Sequence, residues 1–574
     1  MKRLYRILSL ALVCSSVFFY SCETLELDLT ENPNALTPGD ADINFYLNSI
    51  QEDFVRGLDG DADYSDNWSS GGFQQGDGFN DLGATLTRLY NYGSRDYASG
   101  IQAGDGDDEW RNTYAGMMID IKNMVAIIDD ENDPKNLPYH KGMAQFFEAF
   151  TMVTMVDFFG DVPLFEAVQG ADNLNPVVDP GRQTYDAALA LVDAAIANFN
   201  AESADAEPTY DLFYDGEWDL WVKACNTLKL KIYLQYRLVD PAGTLAASLA
   251  IINSGDYITS SDEDFEYNWV ATSATNPDTR HPRYGLNYQN QGGNDYMSNW
   301  LMNLLDTTGD PRIRYYFYRQ TDAVPGSNDA PPNEETLSCS LEDPPLHYIQ
   351  GGFTFCYLDN GYWGRDHGDD DGIPPDGLLR TVWGVYPVGG RFDDDRFEAV
   401  AQGQGGGGAG ITPILTAAWV DFYLAEWGMV NGDMAGAKAA MLAGTAKSIA
   451  KTQSFATLDG TADLSFEPEA ADVSNFLDAL EASFDSADEK GKWNVLSESY
   501  WVALFGNGVE AYNFYRRTGF PTTLQPNLEP DPGTFQRSMW YPDNAVNTNS
   551  NISQKPDQAQ PVWWDTNPSA PEAN

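Results

Sequence analysis

The chain has 574 residues, of which 86 are Asp or Glu and 33 are Lys or Arg, giving a formal charge of −53. That balance excludes a nucleic-acid binder, which needs an excess of Lys and Arg to neutralise phosphates, and it disfavours adsorption to anionic headgroups. With 43% hydrophobic and 13% aromatic residues the chain can bury a sizeable core, which sets disorder aside.

Residues 1–21 read as a secretory signal lying outside the fold. Lys2, Arg3 and Arg6 precede the apolar run from Ile7 to Tyr20, which is too short to span a bilayer. Ser21-Cys22 sets a small residue before a cysteine, where a lipoprotein signal is cut and the thiol diacylated; Cys22 is therefore the expected lipidation site. Glu23, Glu26 and Asp28 follow in the manner of a surface-export tag. Cleavage would remove three basic and no acidic residues, taking the charge from −53 to −56. No later stretch holds 18 uninterrupted apolar residues. The best, Pro413 to Val430, carries Asp421, Glu426 and Gly428 and reads as a buried core helix.

Helical periodicity dominates the rest. In 218–239, Trp221, Ala224, Cys225, Leu228, Ile232, Tyr236 and Val239 recur mostly at spacings of three or four, one face of an amphipathic helix. Similar patterns predict helices over roughly 41–56, 107–130, 138–158, 182–199, 412–430, 434–450 and 497–516. Asn431-Gly432 separates two of them as a short turn, so antiparallel hairpins are expected. The fold class is mainly α, with tetratricopeptide-like hairpins although no 34-residue repeat is clean. Long Gly-, Asp-, Asn- and Pro-rich loops occupy about 57–106, 257–298, 320–411 and 517–574. Trp540, Trp563 and Trp564 in the last of these predict a tail that wraps the body. No domain boundary shows, so 22–574 is expected to form a single domain.

Among the remaining cysteines, Cys339 and Cys356 could staple a loop in an oxidising compartment, leaving Cys225 as a small core residue. No Cys/His spacing fits zinc. The Gly run 402–410 contains GxGxxG but lacks the strand before it and the βαβ context of a phosphate cradle, and reads as a flexible loop. None of the four His sits in HExxH or near a GxSxG nucleophile motif, so nothing supports an enzyme.

Two acidic clusters admit a hard cation. Asp59, Asp61 and Asp63 place carboxylates at alternate positions, but Tyr64 and Ser70 stand where an EF-hand needs its Gly and its bidentate Glu. Only a looser Ca2+ site remains open there. Asp369 and Asp371, within 364–376, are the second candidates, against a hydrogen-bonded turn in which Arg365 neutralises a carboxylate. No cofactor is required. Aromatic rings set among short polar residues suit a ligand platform: a ring stacks on a sugar face while carboxylates and amides meet the hydroxyls. On that criterion the ligand-binding candidates are Tyr64, Trp68 and Phe73, with Tyr362, Trp363, Arg365, Asp366, Trp383 and Arg391. The bland alternative is that the rings pin loops to the body.

Several segments taken together resemble the SusD/RagB family, and its second, SusD-like subfamily in particular. They include Leu27-Asp-Leu-Thr-Glu-Asn-Pro-Asn34, Asp157-Phe-Phe-Gly-Asp-Val-Pro-Leu164, Trp221 to Lys231 and Gly309-Asp-Pro-Arg-Ile313. Gly364-Arg-Asp-His-Gly368, Pro374-Pro-Asp376 and Leu424-Ala-Glu-Trp427 continue the series. Glu510 to Pro521, and Arg537-Ser-Met-Trp-Tyr-Pro-Asp543 with Asn547, Asn549 and Asn551, complete it. The order and spacing of the set carry the resemblance across nearly the whole chain. It implies a helical scaffold with four tetratricopeptide-like hairpins. It also implies a lipid-anchored lid, at the cell surface, on a SusC-like TonB-dependent outer-membrane transporter, capturing oligosaccharide without cleaving it. An oligopeptide ligand, a surface glycoside hydrolase and a Ca2+-dependent adhesin are the rival readings. The family's ligand loops vary, so the site candidates remain those read from the residues. The acidic charge leans the substrate toward a neutral glycan.

Overall fold

The computed structural model describes residues 42–60, 78–272, 278–289, 295–324, 339, 342–370 and 379–567. Cys22, Asp61, Asp63, Tyr64, Trp68, Phe73 and Asp371, all singled out above, lie outside the described residues.

Helices build the body. The longer ones are α1 (Ile43–Asp59), α2 (Phe79–Leu86), α3 (Met118–Ile128), α4 (Pro138–Phe159), α5 (Gly181–Phe199), α6 (Trp218–Gln235), α7 (Pro241–Ser254) and α8 (Asn299–Thr308). After a long irregular stretch come α9 (Ala417–Asn431), α10 (Met434–Gln453), α11 (Ala470–Ser486), α12 (Glu489–Ala503) and α13 (Gly508–Thr518). Successive helices pack as hairpins, α4 on α5, α6 on α7, α9 on α10 and α11 on α12, with α13 lying against α2 and α6. Local chemistry sets their ends. Thr416 caps α9 by accepting from the Trp419 N–H, and Gly432 closes it in the left-handed region at φ 76°. Asp433 then caps α10, its carboxylate accepting from the Gly436 N–H at 2.9 Å.

The strands are few and short. β1 (Phe265–Asn268) pairs antiparallel with β4 (Ile411–Leu415), and β2 (Phe317–Tyr318) with β3 (Val382–Trp383). The expected helix over 412–430 therefore begins as a strand, because Thr416 marks the helix start. The expected helix over 497–516 is two, α12 and α13. Between them Gly506 takes a positive φ, and Asn507 caps the second helix by accepting from the Glu510 N–H.

The core runs continuously from α1 to the C-terminal tail. α4 is buried nearly all round, packed against α5, α1, α3 and α6. Its Phe146 and Phe147 meet Trp221 of α6 edge-on, at 5.4 and 5.7 Å between centroids. The tail wraps the body as expected. Trp564 is fully buried and donates to Asp157 at the end of α4, whose other carboxylate oxygen accepts from Asn513 of α13. Cys339 and Cys356 form a disulfide, and Cys225 is a buried free thiol. The Gly run 402–410 is packed rather than free. A Cβ on Gly405 would sit 2.1 Å from the Gly390 carbonyl, so only glycine allows this approach. No helix among the described residues is long and apolar enough to cross a membrane.

Candidate functional site

The described ligand-binding candidates lie in or beside the irregular stretch between α8 and α9, and all of them are buried. The Tyr362 ring lies under the Arg319 guanidinium at 4.9 Å. Arg319 is in turn held by Asp393 at 2.7 Å and by Asp395. Trp363 is wholly enclosed and donates its indole N–H to the Ala323 carbonyl at 2.8 Å. Asp366 accepts from Asn299, Gln525 and the Cys356 N–H, and burial pushes its carboxyl up to about 6. Arg391 donates to the Tyr318 hydroxyl at 2.8 Å and reaches Glu398 at 3.1 Å. These side chains hold loops to the body because a chain without helical or ladder bonds needs side-chain partners for its backbone. A stacking surface needs an exposed ring face, and Tyr362, Trp363 and Trp383 show none in this conformation.

A chain of side-chain contacts links Trp383 to α2. Trp383 donates its indole N–H to Asp295 at 2.7 Å, Asp295 accepts from Arg283 at 3.2 Å, and Arg283 bonds Asp81. Asp81 also accepts from the Tyr90 hydroxyl, and the Arg283 guanidinium lies 5.1 Å over the Tyr90 ring. Beside this chain of contacts the Tyr296 ring sits between Arg365 at 4.4 Å and Arg380 at 3.8 Å, and its hydroxyl accepts from Arg380. Rings, guanidiniums and carboxylates thus alternate across one layer. Behind it is a cavity of about 20 Å³, lined by Asp59, Asp81, Tyr90, His281, Arg283 and Trp383, with room for a single water.

Gly60, Gly78, Asp295 and Leu379 flank stretches that lie outside the described residues. Gly60 and Gly78 nearly touch, since a Cβ on Gly78 would lie 2.7 Å from the Gly60 nitrogen.

Charge is tightly managed here. Burial raises Asp81, against the pull of Arg283. Burial pushes Asp59 up to about 6, opposed by hydrogen bonds from Thr412 and Asn80. Burial, with Arg283 adding to it, drives His281 down to about 3. Of the cation candidates, Asp59 thus faces Thr412 and Asn80, and Asp369 lies 3.7 Å from Arg365. Among the described residues no three His, Cys, Asp or Glu side chains gather to hold an ion. Burial pushes the Cys225 thiol up, away from nucleophilic reactivity.

Sequence reasoning passed over Tyr90, Arg283, Asp295, Tyr296 and Arg380. Asp295-Tyr296 follows Gly292-Gly-Asn294, a ring among short polar residues, so the criterion that picked Trp68 also selects Tyr296. Arg283 and Arg380 carry no such signal; only the fold brings them to Tyr90 and Tyr296.

Residues 80–330 match the SusD-like family described as "Starch-binding associating with outer membrane". No curated protein matches the chain. Solved structures share its fold. A chitin-binding protein superposes with a TM-score of 0.62 at 18% identity, covering 92% of this chain and 100% of its own. A SusD homologue from Bacteroides fragilis gives 0.60 at 17%, covering 91% and 99%. A chitin-binding SusD homologue from Flavobacterium johnsoniae gives 0.60 at 16%, covering 92% and 99%.

Proposed function

We propose, from the premise that this chain is a member of the SusD/RagB family, that it is a cell-surface lipoprotein that captures oligosaccharide and hands it to a SusC-like TonB-dependent transporter as that barrel's lid. The observation that carries the reading is the group of Tyr296, Arg380, Arg283 and Asp295, which sets a half-buried ring among donors and acceptors, with Tyr90 enclosed beneath Arg283. Sugars need that combination: apolar C–H faces against rings, and hydroxyls against charged groups held in position. Two chitin-binding neighbours of the same fold point to the same ligand class.

In this reading Tyr64, Trp68 and Phe73 add rings to the layer, whereas Tyr362, Trp363 and Trp383 fix its shape from beneath. Arg365 and Asp366 hold Tyr296 and the Cys356 loop in place, and Arg391 anchors the strand pair. The protein binds and does not cleave. Its lipid anchor is Cys22, so Cys22→Ala is expected to release it from membranes, and retention at the membrane counts against the anchor. A structural Ca2+ at Asp59, Asp61 and Asp63 or at Asp369 and Asp371 is a subsidiary proposal, tested by the thermal shift on adding Ca2+ after chelation.

Calorimetry with maltoheptaose, chito-oligosaccharides and a panel of oligopeptides tests the ligand class. Saturable heat from a glycan supports capture of sugar; heat from peptides alone gives the lid a peptide ligand. Release of shortened sugars during incubation identifies a hydrolase and overturns the binding reading.

A further inference from the structure

Where α4 ends, the C-terminal tail crosses it and leaves an open cleft of about 480 Å³, lined among others by Asp161, Tyr541, Lys555, Gln560 and Trp563. None of these residues belongs to the layer around Tyr296. In a chain with 86 acidic residues, Lys223 meets Glu263, Lys229 meets Asp193, Lys231 meets Glu510, and Lys451 meets Asp264 and Glu266, whereas Lys122 and Lys492 donate to backbone carbonyls. Lys555 forms no ion pair among the described residues. Its ammonium donates to the Met539 carbonyl and lies 5.0 Å over the Tyr541 ring.

An ammonium drawn out of water without a counter-charge is costly, and that cost is relieved by whatever anion enters beside it. The groups around it are suited to a sugar. The Trp563 indole N–H is enclosed and without an acceptor. Gln560 and Ser553 are exposed on the rim, and the Tyr541 hydroxyl is already committed to the Asp161 carbonyl.

We propose that this cleft is a second binding site, for a saccharide that bears a carboxylate, with the carboxylate on Lys555 Nζ and the sugar ring against the half-buried Trp563. The site is independent of the layer around Tyr296, so either can fail without the other. A uronate sugar fits better than an inorganic anion because the charge is a single ammonium at the end of a much larger, ring-walled space. The ionisation state of Lys555 agrees. Burial lowers it to about 7, with Arg516 adding to the effect and Asp161 opposing it. A bound carboxylate would restore the charge, so binding takes up protons near pH 8 and weakens as pH rises from 7 to 9. Asp161, Tyr541 and Arg516 are the other ionisable groups facing Lys555.

Titration calorimetry with trigalacturonic acid and with neutral galactotriose at pH 6.5 is the direct test. The acidic trisaccharide is expected to bind at least tenfold more tightly, and Lys555→Met is expected to erase that difference. Equal affinity for the two sugars, or an unchanged difference in a folded Lys555→Met protein, overturns the proposal. A wild-type measurement removes dependence on the variant. Trigalacturonate should protect Lys555 from an amine-reactive reagent, read by peptide mass mapping. No protection, or equal protection by sodium sulfate or by an oligopeptide with a free C-terminus at the same concentration, overturns the saccharide assignment.

Discussion

The helical hairpins and the loop-built layer between α8 and α9 both bury charge, but for opposite structural reasons. In the hairpins each helix satisfies its own backbone, so buried charges are free to clamp one element to another. Glu426 of α9 takes Arg237, just beyond α6, at 2.8 Å and Arg517 of α13 at 2.9 Å, and Arg517 and Lys231 of α6 share Glu510. In the layer the backbone has only the short β2–β3 ladder to use, so charged side chains serve much of it directly. Arg319 donates to the Asn360 carbonyl, Arg314 to that of Asp393, and Asp366 accepts from the Cys356 N–H. Buried charge therefore fixes packing in the first region and chain path in the second.

The largest expected effect lies in the hairpins. Burial pushes the Glu426 carboxyl up, yet Arg517 and Arg237 outweigh it and hold it below its ordinary range. Glu426→Ala leaves two buried guanidiniums without their shared counter-charge and should cost about 3–5 kcal/mol. Urea unfolding measures it. Asp366→Asn, which keeps the shape and most hydrogen bonds of its site, should cost less, and the contrast breaks if it costs more.

The two regions should also answer pH with opposite signs. Asp59 and Asp366 are raised from 3.8 to about 6 in the folded protein, so folding favours their protonated forms. The folded state then binds more protons than the unfolded state between about pH 4 and 6, and stability rises as pH falls through that window. Each displacement is worth on the order of 1–3 kcal/mol. Glu426 works the other way: its contribution is present above its ordinary value of 4.5 and lost as pH falls through its lowered one. His281, held near 3 by the fold, opposes this between pH 7 and 5, so the two Asp are read by difference: the wild-type Tm should rise from pH 7 to 5 relative to that of Asp59→Asn with Asp366→Asn. A wild-type Tm that falls as steeply as that of the double variant overturns this sign.

On the ligand side, Trp68→Ala or Tyr296→Ala should weaken glycan binding by about 1–3 kcal/mol, as for an anchor ring. Trp363→Phe should act on stability first, because the ring is enclosed and its N–H serves the Ala323 carbonyl. Calorimetry and thermal unfolding of the same variants separate the two outcomes.

Legibility followed the same division. The stripe Trp221, Ala224, Cys225, Leu228 and Ile232 was readable because a helix buries one face at a fixed period, and every one of those residues is buried. α7 was missed although Asp240, Pro241 and Gly255 mark both its ends, because its Ala-rich sequence has little contrast between faces. In the layer, periodicity says nothing. Tyr362, Trp363 and Trp383 sit among Asp and Gly and so read as exposed. The partners that bury them come from far along the chain: Arg319 meets Asp393, and Asp366 meets Gln525. Polar neighbours in sequence were serving the backbone rather than facing water.

The smallest effect sharpens the division most. Asp433 caps α10 on the outer edge of a hairpin, accepting from the Gly436 N–H at 2.9 Å. Asp433→Ala frees one amide of the first turn and should cost about 1 kcal/mol. Nothing links that turn to Tyr296 except the packed body. If the hairpins serve only as scaffold, the variant loses that small increment of stability in urea while its glycan affinity stays unchanged. A matching loss of affinity would mean that the hairpins and the layer move together, and that charge in the hairpins tunes the ligand face through packing.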